Sequence, residues 1–130
     1  MLVIAGCGKS GPQFVPVEGQ ITFGGGPWPK PGIVQFHPAE GPQGQPMIPA
    51  SADFTPDGNF QVTTVKPGDG LLVGKYRVTV ECWEERPDMV SPGKNCYVPP
   101  PYRSATISPL MAEVPAGSKR VQLKLDVPPQ

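Results

Sequence analysis

The sequence lacks an excess of charge of either sign. Its 130 residues include 11 lysines and arginines and 11 aspartates and glutamates, and only 17% of the chain is charged. Proteins that bind nucleic acid by neutralising phosphates, or anionic membranes through a polybasic patch, carry a basic excess. We therefore expect no nucleic-acid partner and no purely electrostatic contact with a membrane.

Residues for catalysis and metal binding are scarce. His37 is the single histidine, and no carboxylate and nucleophile accompany it in a pattern typical of nucleophilic catalysis. Asp53, Asp57 and Asn59 have the wrong spacing for a calcium loop, and the Asp57-Gly58 pair is better explained as a hairpin turn. The sequence therefore predicts a protein that is not an enzyme, with no catalytic residue, no metal site and no cofactor.

A helical period of 3.6 is missing from every segment of useful length, whereas a period of two recurs. Apolar and polar residues alternate in 15–23, 76–82 and 120–127, which places each apolar row on one face of a sheet. Four shorter segments show the same alternation more weakly: 33–37, 50–54, 59–65 and 110–114. About seven short strands predict an all-β fold, an antiparallel β-sandwich with no long helix.

Glycine and proline total 16 + 20 = 36 residues, and they cluster between the predicted strands. Asp57 and Gly58 separate two aromatic residues and predict a tight hairpin, because both residue types accept a positive φ. Two stretches, 38–49 and 84–101, read as loops, and the second is long and rich in proline. A loop of that size is typically functional or mobile.

The N-terminal end carries the most specific short motif. Residues 4–7, Ile-Ala-Gly-Cys, match the bacterial lipobox, in which an aliphatic residue and two small ones precede the acylated cysteine. Only six residues precede Cys7, fewer than a signal peptide has, so we expect a translation start further upstream. On this interpretation residues 1–6 are the remnant of a lipoprotein signal peptide, 7–13 form a flexible tether, and 14–128 form a single β-sandwich domain.

The body of the chain also carries an ordered series of short turn and strand motifs. They are the segments 17–23, 26–27, 32–38, 57–60, 66–70, 74–80, 100–102 and 108–110. In this order and spacing they resemble small envelope lipoproteins of planctomycete-type bacteria. Those proteins carry a carboxypeptidase-regulatory-like, transthyretin-like domain.

The resemblance implies a Greek-key β-sandwich that serves as an accessory, stalk-like or adhesive module. It implies a lipid-anchored protein of the bacterial cell envelope, attached to a membrane through Cys7 and facing the periplasm or the exterior. The function expected from it is non-catalytic, with a structural or interaction role. An envelope protein or a glycan is the kind of partner that such a role implies.

Aromatic residues in or beside the loops leave two interpretations open. Trp83, Tyr97 and Tyr102 could form a ligand surface on the 84–102 loop, which would make the chain an accessory domain that binds a peptide or a glycan. Alternatively, these residues and Trp28 close the open ends of the sandwich.

Cys82 and Cys96 remain once Cys7 is assigned to the lipid. An even number of cysteines in an oxidising envelope predicts one disulfide, which would pin the proline-rich excursion between them. The parity of Cys82, however, places it on the inward face with Val78 and Val80, so a buried thiol is the alternative.

Overall fold

The computed structural model describes residues 14–41 and 48–129. These residues form eleven strands, one short 3₁₀ helix and no α-helix. The strands are β1 Phe14–Val15, β2 Val17–Phe23, β3 Gly32–Glu40, β4 Ala50–Phe54, β5 Asn59–Gln61, β6 Leu71–Leu72, β7 Gly74–Glu81, β8 Trp83–Glu85, β9 Lys94–Cys96, β10 Leu110–Val114 and β11 Val121–Val127; the 3₁₀ helix is Pro100–Arg103. The predicted all-β class is confirmed. The segments assigned to a signal-peptide remnant and a tether lie outside the described residues.

Seven strands form one mixed sheet in the order β10-β7-β3-β4-β5-β2-β11. Its two edge strands, β10 and β11, curve toward each other, so that the sheet is nearly closed into a barrel. All neighbours are antiparallel except β11, which runs parallel to β2 in a register that pairs Val121 with Val17 and Val127 with Phe23. The expectation of a purely antiparallel fold is therefore wrong at this pair.

The apolar rows that the alternation predicts face one core. Val34 and Phe36 of β3 and Val78 and Val80 of β7 are completely buried. The row on β11 is only partly buried, although Val121, Leu123 and Leu125 contact the core, because β11 lies at the edge of the sheet. The largest fully buried side chains are Phe36, Phe54, Ile21, Leu71, Leu72, Val17, Val34, Val62, Val78, Val80, Val98 and Val114.

The Asp57-Gly58 hairpin forms as predicted. Phe54 pairs with Phe60 across it, and Gly58 has a φ of 89°. Its backbone also closes onto β2, since Ile21 N donates to Gly58 O at 2.9 Å. The turn therefore fixes the position of β2 as well as the register of β4 and β5.

An aromatic cluster closes one end of the core. Trp28 is 3% exposed; its ring stacks on Phe23 with centroids 4.6 Å apart and tilts against Phe54 at 4.9 Å. Its indole Nε1 donates to Ile21 O at 3.1 Å, so the polar atom of this buried ring has a partner. Trp28 therefore closes one end of the fold and does not form part of a ligand surface.

Candidate functional site

The stretch predicted as one long loop contains a β-hairpin. β8 and β9 pair antiparallel, with Trp83 opposite Cys96 and Glu85 opposite Lys94, and Tyr97 N donates to Cys82 O at 2.8 Å. The loop expectation for this part of 84–101 is wrong because each strand has only three residues, and their pairing comes from cross-strand contacts rather than from local pattern.

The turn that joins β8 to β9, residues 86–93, is named the hairpin tip below. Asp88 Oδ1 accepts hydrogen bonds from Val90 N at 2.9 Å and Ser91 N at 2.8 Å, and Asp88 N donates to Ser91 O at 2.9 Å. Gly93 has a φ of 88°, and a Cβ at that position would lie 2.8 Å from the Pro87 ring. The tip is therefore a defined turn, closed at its base by a glycine and a proline in contact.

A cleft lies on the outer face of the sheet at the base of this hairpin. Its lining residues are Ile33, Glu81, Trp83, Arg86 and Pro87, its volume is about 290 Å³, and it is named the Trp83 cleft. Glu81 and Trp83 share a face because they are two residues apart in extended chain. Trp83 Nε1 donates to Glu81 Oε1 at 3.0 Å, which fixes both side chains in the wall of the cleft.

Two guanidinium groups are associated with this wall. The guanidinium carbon of Arg103 lies 6.0 Å from the centre of the Trp83 ring, within the range of a cation–π contact. Arg86 lines the cleft itself. In the part of the chain that the structure describes, the one ion pair within 4.0 Å joins Lys75 and Glu40, so no carboxylate there neutralises Arg86.

The three aromatic residues predicted as a ligand surface do not share one site. Trp83 lines the cleft, whereas Tyr97 meets the ring of Phe23 edge-on, with centroids 6.4 Å apart. Tyr102 lies on the 3₁₀ helix and packs against the core. The structure adds Glu81 and Arg86, which sequence reasoning missed although the two-residue spacing of Glu81 and Trp83 was a usable signal.

Cys82 and Cys96 are both buried and belong to the same core cluster. Asn95 has a φ of 51°, a local twist next to Cys96 in β9. The Sγ of Cys82 is a thiol that lies 3.3 Å from Lys30 O. Burial raises the pKa of this thiol to about 11; the hydrogen bond to Lys30 opposes the shift, and the neighbouring Cys96 adds to it. The disulfide between the two cysteines stays a prediction.

We expect oxidation to link Cys82 to Cys96, because the closed loop spans 96 − 82 = 14 residues and would stabilise the fold by about 3 kcal/mol in the chain-entropy account. Native alkylation cannot test this, since a buried thiol with a pKa of about 11 carries little thiolate near neutral pH. The number of alkyl groups added in denaturant, measured by intact mass with and without reductant, shows whether the two cysteines are bridged. A bridged, unlipidated chain gains one adduct without reductant and three with it, because the chain has three cysteines. Three adducts without reductant would contradict the bridge.

His37 lies outside the Trp83 cleft and is partly buried, and its Nε2 is 2.8 Å from Thr79 Oγ1.

A broader polar groove of about 350 Å³ lies over β2, β5 and β11. Its side chains bond to each other, as Gln122 Nε2 does to Glu18 Oε1 at 3.1 Å. The Trp83 cleft is the better candidate, because its tryptophan ring is partly exposed beside a guanidinium, whereas Phe60, the aromatic residue of the groove, is 6% exposed.

Within residues 14–41 and 48–129, no three histidine, cysteine, aspartate or glutamate side chains come together as a metal site. No helix in these ranges is long and apolar enough to span a membrane. The lipid site predicted at Cys7 lies outside the described residues. No family model, curated protein or solved structure matches the chain.

Proposed function

We propose that this chain is a non-catalytic lipoprotein of the bacterial cell envelope, anchored through Cys7 and facing the periplasm or the exterior, with a structural or interaction role. The observation that carries the proposal is the adjacency of a lipobox and a folded β-domain. Cys7 is followed after six residues by Phe14, where β1 begins. A segment of that length spans about 20–25 Å when extended, enough to hold the domain just clear of a bilayer surface.

The finer fold belongs to the same proposal: a Greek-key β-sandwich of the transthyretin-like, carboxypeptidase-regulatory-like kind. The strand order supports it, since β3 lies between β4 and β7 and β2 lies between β5 and β11. Such non-sequential neighbours come from long connections between strands, as in a Greek key.

The positions of the two ends of the domain support an interaction role. β1 pairs with β6, which comes directly before the start of β7, whereas the β8–β9 hairpin follows directly after the end of β7. Eight residues of β7 extend about 26 Å, so the anchored end and the hairpin lie at opposite ends of this strand. The hairpin points away from the attachment, where a partner can reach it.

A second candidate function is that of an accessory domain that binds a peptide or a glycan through residues 84–102. The Trp83 cleft favours it, because Arg86 and Pro87 of that segment line the cleft beside the ring of Trp83.

The anchor is tested by Cys7→Ser in the chain expressed from its genomic start. We expect the wild type to sediment with membranes and to incorporate labelled palmitate, and the variant to be soluble and unlabelled, because each buried methylene contributes about 0.8 kcal/mol and several acyl chains are needed for stable attachment. Ser10→Ala is the matched control in the same segment and should behave as the wild type. A Cys7→Ser protein that stays in the membrane pellet, with no label in the wild type, would exclude the anchor.

A further inference from the structure

We propose that the Trp83 cleft and the hairpin tip together bind a peptide segment that carries a carboxylate flanked by apolar side chains. The proposal deepens the interaction role given above and rests on that role, but it does not depend on the lipid anchor.

One charged group of the surface, the guanidinium of Arg86, points to an acidic group on the ligand. Three of the four carboxylates of the hairpin region accept a hydrogen bond within it: Glu81 from Trp83 Nε1, Glu84 from Asn95 Nδ2 at 3.3 Å, and Asp88 from two backbone amides. The fourth, Glu85, lies opposite Lys94 in the β8–β9 pair. Arg86, in contrast, lines the cleft with no carboxylate within ion-pair distance among the described residues. A guanidinium binds a carboxylate through two parallel hydrogen bonds, which gives orientation as well as attraction.

The apolar groups point to side chains on both sides of that carboxylate. Ile33, Trp83 and Pro87 line the cleft, and Pro87 also belongs to the hairpin tip. At the tip, Met89 is 103% exposed and Val90 is 93% exposed, and the Asp88 turn holds both outward. Tryptophan, arginine and methionine are the residue types enriched where proteins bind other proteins.

A saccharide fits this surface less well. Its hydroxyl groups need several converging donors and acceptors, whereas two charged side chains, Glu81 and Arg86, line the cleft. The exposed Met89 and Val90 would also stay in water beside a sugar, which leaves their apolar area without a partner.

The chain contains two tryptophans, which supply a direct readout. The indole N–H signals of the full chain, labelled with ¹⁵N-tryptophan, are followed by NMR during titration with N-acetyl-Leu-Glu-Leu-amide. We expect the Trp83 signal to shift and saturate, while the signal of Trp28, which is buried and hydrogen-bonded to Ile21, stays fixed. An unmoved Trp28 signal also shows that each variant is folded.

Three comparisons decide the ligand chemistry. The neutral N-acetyl-Leu-Gln-Leu-amide should bind the wild type about tenfold more weakly than the acidic peptide does. The acidic peptide should likewise bind Arg86→Gln about tenfold more weakly than it binds the wild type. Each change removes one partner of the pair between guanidinium and carboxylate. Met89→Ser together with Val90→Ser should also weaken binding, and these exposed positions carry no packing that the fold needs. Arg120→Gln, at an exposed arginine beside β11, is the matched control and should bind as the wild type.

The proposal is overturned if the Trp83 signal fails to respond to the acidic peptide, if the glutamine peptide binds equally well, or if Arg86→Gln has no effect. A stronger response to chitotriose than to the peptide would overturn it in favour of a glycan. These failures leave the Cys7 experiment untouched, and a failure of the anchor leaves peptide binding by the full chain intact, so the two proposals fail separately.

Discussion

Replacing Gly58 with alanine is expected to lower the free energy of unfolding by about 3–4 kcal/mol, a large part of the stability of a small domain. Gly58 has a φ of 89°, where a side chain costs about 1–2 kcal/mol. An added Cβ would also lie 1.9 Å from Ile21 O, so the turn would have to move away from β2. The move would lengthen the 2.9 Å hydrogen bond from Ile21 N to Gly58 O. Urea unfolding followed by circular dichroism measures the loss.

Gly25→Ala is the matched control for the steric contact between the added Cβ and Ile21 O. Gly25 has a similar φ of 82°, yet nothing lies within 4 Å of the position that its Cβ would take. It should therefore lose only the conformational part, about 1–2 kcal/mol. Equal losses in the two variants would mean that the contact between the hairpin and β2 relaxes at no cost.

Truncating Trp28 to alanine is the second change with a large expected effect, about 3–5 kcal/mol. The indole is 3% exposed, lies between Phe23 and Phe54, and donates to Ile21 O. Its removal leaves a cavity in the aromatic cluster and a backbone carbonyl without its donor. Thermal unfolding of the variant beside the wild type measures the effect as a lower Tm.

Trp28→Phe separates packing from the hydrogen bond. It keeps an aromatic ring against Phe23 and Phe54 but removes the donor to Ile21 O, so we expect a smaller loss of about 1–2 kcal/mol. Trp83→Ala, at the partly exposed tryptophan of the cleft, should cost less than Trp28→Ala. If the two alanine variants unfold at the same temperature, Trp28 does not hold the end of the core together.

The strands that could be predicted are those whose side chains alternate between core and water. β7 and β10 lie where the alternation places them, and the Asp57-Gly58 turn joins β4 to β5. The parallel pairing of β11 with β2 could not be predicted, because alternation indicates which face is buried but not which strand is the neighbour or in which direction it runs.

The candidate site was only partly predictable. Trp83 stood out as an aromatic residue beside a long loop, and its parity with Glu81 was readable from the sequence. The position of Ile33 on the cleft was not, since it depends on the pairing of Ile33 with Glu81 across β3 and β7. The β8–β9 hairpin was missed because each strand has three residues, too few for a periodic pattern to show.

The pairing of β11 with β2 also sets the order in which the molecule can fold. The hydrogen bond from Gln122 to Glu18 joins residues 104 positions apart, and contacts of such high order form slowly because the intervening chain must first lose its entropy. A polypeptide emerging N-terminus first from a ribosome or a translocation channel exposes one edge of β2 until its last strand arrives. Until then that edge is open to pairing with other chains, so completion of the C-terminal strand decides between a finished domain and aggregation.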